Sequence, residues 1–347
     1  MRVIIATSVA PFVEGGSTQI VDWLHRQLQV YGHDVELFQF PFSESTSEIL
    51  DQLLALRLLD LTEHGDRLIA VRTPSHLLKH PKKVTWFIHH YRSAYDLWGT
   101  KYQTLPDSPE GLACREAIIN SDNVALRECT RLFCNSAVVK DRLQKFNEIT
   151  AEVLYPPLLD PARFRSGPFG DYLLYFSRLI HHKRQWLAIE ALRYTRTPVK
   201  LIIAGCPDPG LEPYVFDLHR LVAKYGLEQR VSIVARWVSE EDKVELFANC
   251  SAVVYFPFDE DSYGYPPLEA HAALKPVLTT IDAGGTNELI VNGENGLITP
   301  ADPELIASAM DLLYSDRLMA KRMGERGEQR IQELCITWDN VVSRLLA

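Results

Sequence analysis

The chain has 347 residues, with 36 Lys and Arg against 45 Asp and Glu and a formal net charge of −9. At about 100–200 residues per domain this length suits one large domain or, better, two, and 46% hydrophobic against 23% charged residues exclude wholesale disorder. A net-acidic chain is a poor general binder of nucleic acid, although local basic spots can still grip phosphates.

Short apolar runs alternate with segments of helical period from end to end, the pattern of an α/β protein with parallel sheets. The opening Met1-Arg2-Val3-Ile4-Ile5-Ala6 is too brief for a signal peptide and reads as a first strand over 3–7. Gly15-Gly16 makes a turn, and Ile20, Val21, Leu24 and Leu28 share a helical face that ends at Gly32. A strand is expected over 35–38 and a helix over 49–61, with Leu50, Leu53, Leu54, Leu58 and Leu61 as its stripe. Strands follow at 68–71, 84–89 and 132–135, with helices near 110–128 and 136–146, and 153–155 closes this half.

Four prolines and two glycines between 155 and 170 mark a connector. The alternation then restarts: strand 172–177, helix 185–194, strand 199–204, helix 211–225 and strand 231–234. Ser239-Glu240-Glu241-Asp242 is a capping box opening a helix to about Asn249. Strand 252–256, helix 266–274, strand 276–280 and helix 286–291 complete the second half. The tail 302–347 reads as helical, with Asp302-Pro303 as cap and first-turn proline. The domains are therefore taken as 1–160 and 161–330, each a Rossmann-like parallel sheet, plus a terminal helical segment over 331–347. Open parallel sheets offer ligand sites at the carboxyl ends of their strands, and two facing sheets would make an inter-domain cleft.

No apolar run approaches the roughly 18 residues that span a bilayer. Cysteines at 114, 129, 134, 206, 250 and 335 form no Cys-x-x-Cys and read as buried thiols of a reducing cytosol, so a cytoplasmic location is expected. Asn249-Cys250-Ser251 matches a glycosylation sequon by chance, beside a strand. The basic run Lys79-His80-Pro81-Lys82-Lys83 is either a solvated loop or a contact with the inner face of a membrane.

Several groups can carry chemistry. Arg178 and Lys183 follow the strand 172–177 at a strand-to-helix turn, where a guanidinium fork, an ammonium and a helix start suit a diphosphate; a solvated basic turn shows the same spacing. In Asp259-Glu260-Asp261-Ser262-Tyr263-Gly264-Tyr265-Pro266-Pro267-Leu268-Glu269, Asp261 and Glu269 stand eight apart across a glycine loop into a helix. Such carboxylates accept hydrogen bonds from vicinal sugar hydroxyls, and Gly264 lets backbone approach a ligand closely; a solvated acidic loop is the alternative. Gly284-Gly285 before a short helix is a second phosphate-cradle candidate. Gly15-Gly16 follows the first strand but is not a G-x-G-x-x-G, which argues against a nicotinamide dinucleotide. His89-His90 ends a strand, and adjacent strand residues face opposite ways, so one of the two can reach a ligand.

The run from Phe256-Pro257 through Asp261–Ala270, with Pro276-Val277-Leu278, Gly284-Gly285-Thr286-Asn287-Glu288 and Asn292–Leu297, resembles the signature of the retaining glycosyltransferases of family 4 (GT4, glycosyl transferases group 1), which have the GT-B fold. Ser177-Arg178-Leu179 to Lys183 with Glu190-Ala191 is similar to that family's diphosphate turn. Gly15-Gly16, Gly32-His33-Asp34-Val35 and Asn135-Ser136 look like its amino-terminal landmarks. The resemblance implies that Arg178 and Lys183 neutralise the donor diphosphate and Glu269 holds the ribose. It implies that Asp261 contacts the donor sugar and that Tyr263, Gly264, Tyr265 and Pro266 line phosphate and sugar. It further implies that Gly15, Gly16, Gly284 and Gly285 approach the donor, that His89 hydrogen-bonds the transferred sugar, and that Trp338 lies in a last helix crossing back to the first domain.

Three positions depart from the family pattern. Asp261 stands where a Glu is usual, so Glu260 is an alternative sugar contact; Arg184 replaces a glycine, and Arg236 a small residue. The implied chemistry is transfer of a sugar from a UDP- or GDP-sugar to a glycan, lipid-linked or small-molecule acceptor, with retention and without metal or cofactor. A nucleotide-sugar epimerase and a non-catalytic interaction partner are the alternatives.

Overall fold

The computed structural model describes residues 1–9, 16–100, 103–208 and 210–347. The chain forms two compact units, Met1–Pro157 with Ile336–Ala347, and Leu158–Cys335. Each holds a six-stranded sheet in which every pairing is parallel.

In the first unit β1 (Arg2–Val9), β2 (Asp34–Pro41), β3 (Arg67–Ala70), β4 (Lys83–Phe87), β5 (Arg131–Cys134) and β6 (Glu152–Val153) lie in the order β2-β1-β3-β4-β5-β6. The chain builds outward on one side of β1 and then crosses to the other, so its topological switch point is between β1 and β3. Val3, Ile4, Ile5 and Ala6 of β1 are all buried, because helices cover both faces of a parallel sheet. Those helices are α1 (Gly16–Val30), α2 (Ile49–Leu58), α3 (Pro109–Arg127) and α4 (Ala137–Asn147). The last helix of the chain, α12 (Trp338–Leu346), belongs to this unit too: Tyr31 bonds Asp339, and Arg67 donates to the Leu345 and Ala347 carbonyls at 2.8 Å each.

Two expectations change here. In α2 the buried residues are Ile49, Leu53 and Leu56, while Leu50, Leu54 and Leu58 face outward. The segment is apolar almost all round, so periodicity could not choose the face; contact with α3 does. The basic run is not a free patch either. Lys79 and Lys82 are exposed, but Lys83 is fully buried, its ammonium donating to the carbonyls of His76 (2.7 Å) and Leu78 (3.1 Å).

In the second unit β7 (Tyr172–Phe176), β8 (Lys200–Ala204), β9 (Val231–Val234), β10 (Ala252–Val254), β11 (Val277–Thr280) and β12 (Gly296–Thr299) lie in the order β12-β11-β10-β7-β8-β9. This is the Rossmann order, with its switch point between β7 and β10. The helices are α5 (Gln185–Leu192), α6 (Glu212–Lys224), α7 (Glu240–Asn249), α8 (Tyr265–Ala272), α9 (Thr286–Leu289), α10 (Pro303–Ser315) and α11 (Arg317–Glu333). Both N-caps form: the Ser239 side chain accepts from the Asp242 amide, and Asp302 from those of Glu304 and Leu305. The helical tail is three helices because Asp316 caps α11 and Thr337 caps α12. Strand β12 was not anticipated; it starts on Gly296, where a Cβ would stand 2.3 Å from the Val277 carbonyl of β11. Among the described residues no helix is long and apolar enough to cross a membrane.

Candidate functional site

The second unit's switch point gathers the groups that the sequence singles out. After β7 the chain makes a 3-10 turn, His181–Lys183, and enters α5 through Arg184 at φ 54°. A side chain in this left-handed region costs about 1–2 kcal/mol, which is why glycine suits the position. Here the guanidinium offsets the strain. It donates to the carbonyls of Phe256 (2.7 Å) and Pro257 (2.9 Å), to Thr280 Oγ1 (3.0 Å) and to both oxygens of Asp282 (2.8 Å each). The cationic turn is thereby strapped to the loops after β10 and β11.

Lys183 is 6% exposed. Its ammonium donates to the Tyr255 hydroxyl at 2.8 Å and pairs with the carboxylate of Glu260. Burial pushes the Glu260 carboxyl up, but Lys183, followed by His182 and Arg178, pulls harder and holds it below the ordinary range. Burial, with Glu260 nearby, drives the Tyr255 hydroxyl far upward, so it stays a donor. Arg178 is more open and donates to Asp208 Oδ2 at 2.6 Å. Asp261 is half-buried; the carboxylate brought onto Lys183 is its neighbour Glu260.

The glycines explain how Glu260 is seated. Gly284 sits at φ 64°, and a Cβ there would lie 2.5 Å from the backbone N and O of Glu260. The Gly285 amide donates to the Glu260 carbonyl at 2.9 Å. The helix α9 behind them has four residues, so Gly284-Gly285 serve the carboxylate loop directly. Gly264, at φ 75°, would carry a Cβ 2.8 Å from the Tyr255 ring. Tyr263 is buried, and half-buried Tyr265 and Pro266 open α8.

Glu269, one turn into α8, is 4% exposed and pairs with buried Lys243 of α7 at 3.0 Å. Burial holds its carboxyl above the ordinary range, against the pull of Lys243. Burial lowers Lys243, but Glu269 and Glu240 (2.9 Å) lift it further than burial depresses it. Neither Lys243 nor Asp208 belongs to a motif in the sequence. A signal for Lys243 existed, since it adjoins Val244 and lies one turn before Phe247 on the inward face of α7.

In the first unit His89 follows β4 and is half-buried. Its Nδ1 lies 2.7 Å from the His90 carbonyl. A carbonyl only accepts, so Nδ1 carries a proton, and in the neutral ring Nε2 is left as an acceptor. His90 instead enters the core, with Nε2 at 2.8 Å from Asn147 Oδ1 and the rings of Phe87, Tyr95 and Phe146 around it. Gly16 is the exposed first residue of α1, whereas Gly15 lies outside the described residues.

Residues 163–330 match the family described as Glycosyl transferases group 1. Among curated proteins, the α-1,3/1,6-mannosyltransferase ALG2 of Dictyostelium discoideum is 35% identical over 138 residues, 39% of this chain and 32% of that protein. Human ALG2 is 29% identical over 222 residues, 57% of this chain and 52% of that protein. The chain thus spans about a third of the length of the first relative and about half of the second. Among solved structures, HepE of Anabaena, in complex with UDP and glucose, superposes with a TM-score of 0.72 at 19% identity over 99% of both chains. At that identity the likeness concerns the fold, which is GT-B.

Proposed function

We infer that this chain, which belongs to the glycosyl transferases group 1 family, moves a glycosyl group from a nucleoside diphosphate sugar to a hydroxyl acceptor. The observation that carries the reading is the buried Lys183 beside Arg178 at the switch point of a Rossmann-ordered sheet, where anionic ligands of such sheets dock. Glycosyl transfer develops positive charge on the sugar and negative charge on the departing diphosphate. Fixed cations stabilise that departure without reorganising. Arg178 offers a fork and Lys183 a point charge, and the Tyr255 hydroxyl is a third donor. Because these groups supply the positive charge, we propose transfer without a metal ion or cofactor.

Glu269, buried with Lys243, is the candidate for the ribose hydroxyls. Glu260, or Asp261 beside it, is the candidate for the donor sugar. Among the described residues no carboxylate is an evident nucleophile, so we favour same-face transfer with retention, in which a donor phosphate oxygen takes the acceptor proton. The ALG2 relatives are named mannosyltransferases and HepE is described with UDP and glucose, so UDP- and GDP-hexoses, GDP-mannose among them, are the donors to try first. We place the enzyme in the cytoplasm, with a glycan or lipid-linked acceptor met at a membrane's inner face.

Incubation with GDP-mannose and UDP-glucose, followed by proton NMR, tests this. Slow donor hydrolysis with release of nucleoside diphosphate and an α-anomeric product is expected. Interconversion of the sugar while it stays attached to the nucleotide would mean an epimerase, and absence of binding to any nucleotide would overturn the reading.

A further inference from the structure

The first unit has a switch point of its own, between β1 and β3, and a cation stands at it with no bonded side-chain partner among the described residues. Arg72 follows β3 by two residues. Its guanidinium is half-buried, and its Nε is sealed from water with no hydrogen-bond partner. Burial lowers its pKa, and the exposed carboxylate of Glu44 opposes this without reaching a bonded position. A guanidinium rarely surrenders its hydration for nothing: five donors in a fixed fork are an oxyanion receptor.

The surroundings are fixed and carry complementary acceptors. Ser8 Oγ donates to the Thr73 carbonyl at 2.7 Å, and Thr73 Oγ1 donates to the His89 carbonyl at 2.7 Å. The carboxyl ends of β1, β3 and β4 are thus tied together beside Arg72. His89 follows β4 at the same edge, and Nε2 of its neutral ring is an acceptor. At the end of the next strand, β5, Asn135 is 2% exposed and its Oδ1 has no donor, while its backbone N–H donates to the Phe87 carbonyl at 3.2 Å. Strands in a sheet lie about 4.8 Å apart, so the ends of β3, β4 and β5 span about 10 Å, roughly the length of a sugar carrying a phosphoryl group. One side of this edge asks for an oxyanion and the other for hydroxyls.

We propose that the first unit binds an oxyanion-bearing polyol, its phosphoryl or carboxylate group on Arg72 and its hydroxyls on Asn135 Oδ1 and His89 Nε2. As an oxyanion site the proposal stands alone. As the acceptor site it rests on the transfer reading, and it makes the acceptor a phosphorylated or acidic glycan with a hydroxyl delivered to His89.

The test is calorimetric titration with mannose 6-phosphate, galacturonate and methyl mannoside, and sedimentation with phosphatidylglycerol and phosphatidylcholine vesicles. UDP-saturated protein is used, and also an Arg178→Ala/Lys183→Ala variant in which the second unit's cations are silenced. Mannose 6-phosphate or galacturonate is expected to bind, methyl mannoside much more weakly. Arg72→Gln should weaken the oxyanion at least about tenfold, and Arg72→Lys should fall between. Binding of phosphatidylglycerol vesicles alone, lost in Arg72→Gln, would identify a lipid headgroup as the source. Near-ultraviolet circular dichroism reports whether the first unit is folded; if Arg72→Gln is not, Arg72→Lys decides. Oxyanion affinity equal in wild type and variants, or no oxyanion binding at all, overturns the proposal. Failure to bind UDP would instead overturn the transfer reading and leave the double-variant titration standing.

Discussion

Glu260→Gln should tighten the binding of a free nucleoside diphosphate while slowing sugar transfer. In the structure the carboxylate occupies the Lys183 ammonium, both groups lying mostly out of water, with side chains 8% and 21% exposed for Lys183 and Glu260. A diphosphate that docks on Lys183 must share or displace it. Two unit charges about 6 Å apart at an effective dielectric near 20 repel by about 3 kcal/mol. Screening and the remaining solvent exposure reduce that to about 1–2 kcal/mol, or roughly a tenfold fall in Kd. Glutamine keeps the shape and the seating of the loop on Gly284 but not the charge. It also leaves Lys183 buried without its counter-ion, so the variant should lose about 1–3 kcal/mol of stability. Calorimetry with UDP and GDP reads the first quantity, urea unfolding the second and donor hydrolysis the turnover. A merely structural role for Glu260 would weaken nucleotide binding along with stability. Equal or poorer UDP and GDP affinity in Glu260→Gln would refute the idea that an internal carboxylate occupies the anion site.

Lys183→Ala should cut turnover about 100- to 1000-fold, a far larger effect than its few-degree shift in thermal unfolding; unchanged turnover would remove the lysine from the leaving-group role. Gly284→Ala should cost about 1–3 kcal/mol, because its Cβ would stand 2.5 Å from Glu260 backbone at φ 64°, and nucleotide affinity should change with it, read in the same titrations. His271, fully buried on α8, has its pKa lowered to about 4 by burial. It is neutral in the folded protein and takes up a proton only on unfolding, so its contribution is intact above pH 6.5 and is lost as pH falls toward 4, by up to about 3 kcal/mol. His271→Gln should flatten the urea-unfolding stability profile across that window, and an unchanged slope would contradict the assignment.

The elements that sequence alone revealed are those set by local physics. Strand cores such as Leu201-Ile202-Ile203-Ala204 are apolar because both sheet faces are covered, and the caps Ser239 and Asp302 announce their helices through backbone amides that need acceptors. The outward leucines of α2 and the late strand β12 were hidden, because a helix apolar all round has no preferred face and a four-residue edge strand beginning with glycine carries little pattern.

The site divides along the same line. Arg178, Lys183, Glu269 and the glycines of 264 and 284–285 were visible because each stands where a strand gives way to a helix. Their partners were not. Lys243 meets Glu269 across 26 residues and Glu260 meets Lys183 across 77, and only the folded switch point brings them together. Spacing favoured Asp261 as the working carboxylate, since it stands eight before Glu269. The structure puts Glu260 on the lysine because Asp259 takes a left-handed turn at φ 47° and the Gly284-Gly285 backbone grips the next residue. Which of two adjacent carboxylates faces the lysine is therefore decided by a neighbouring loop's glycines, through a contact that no count along the chain can express.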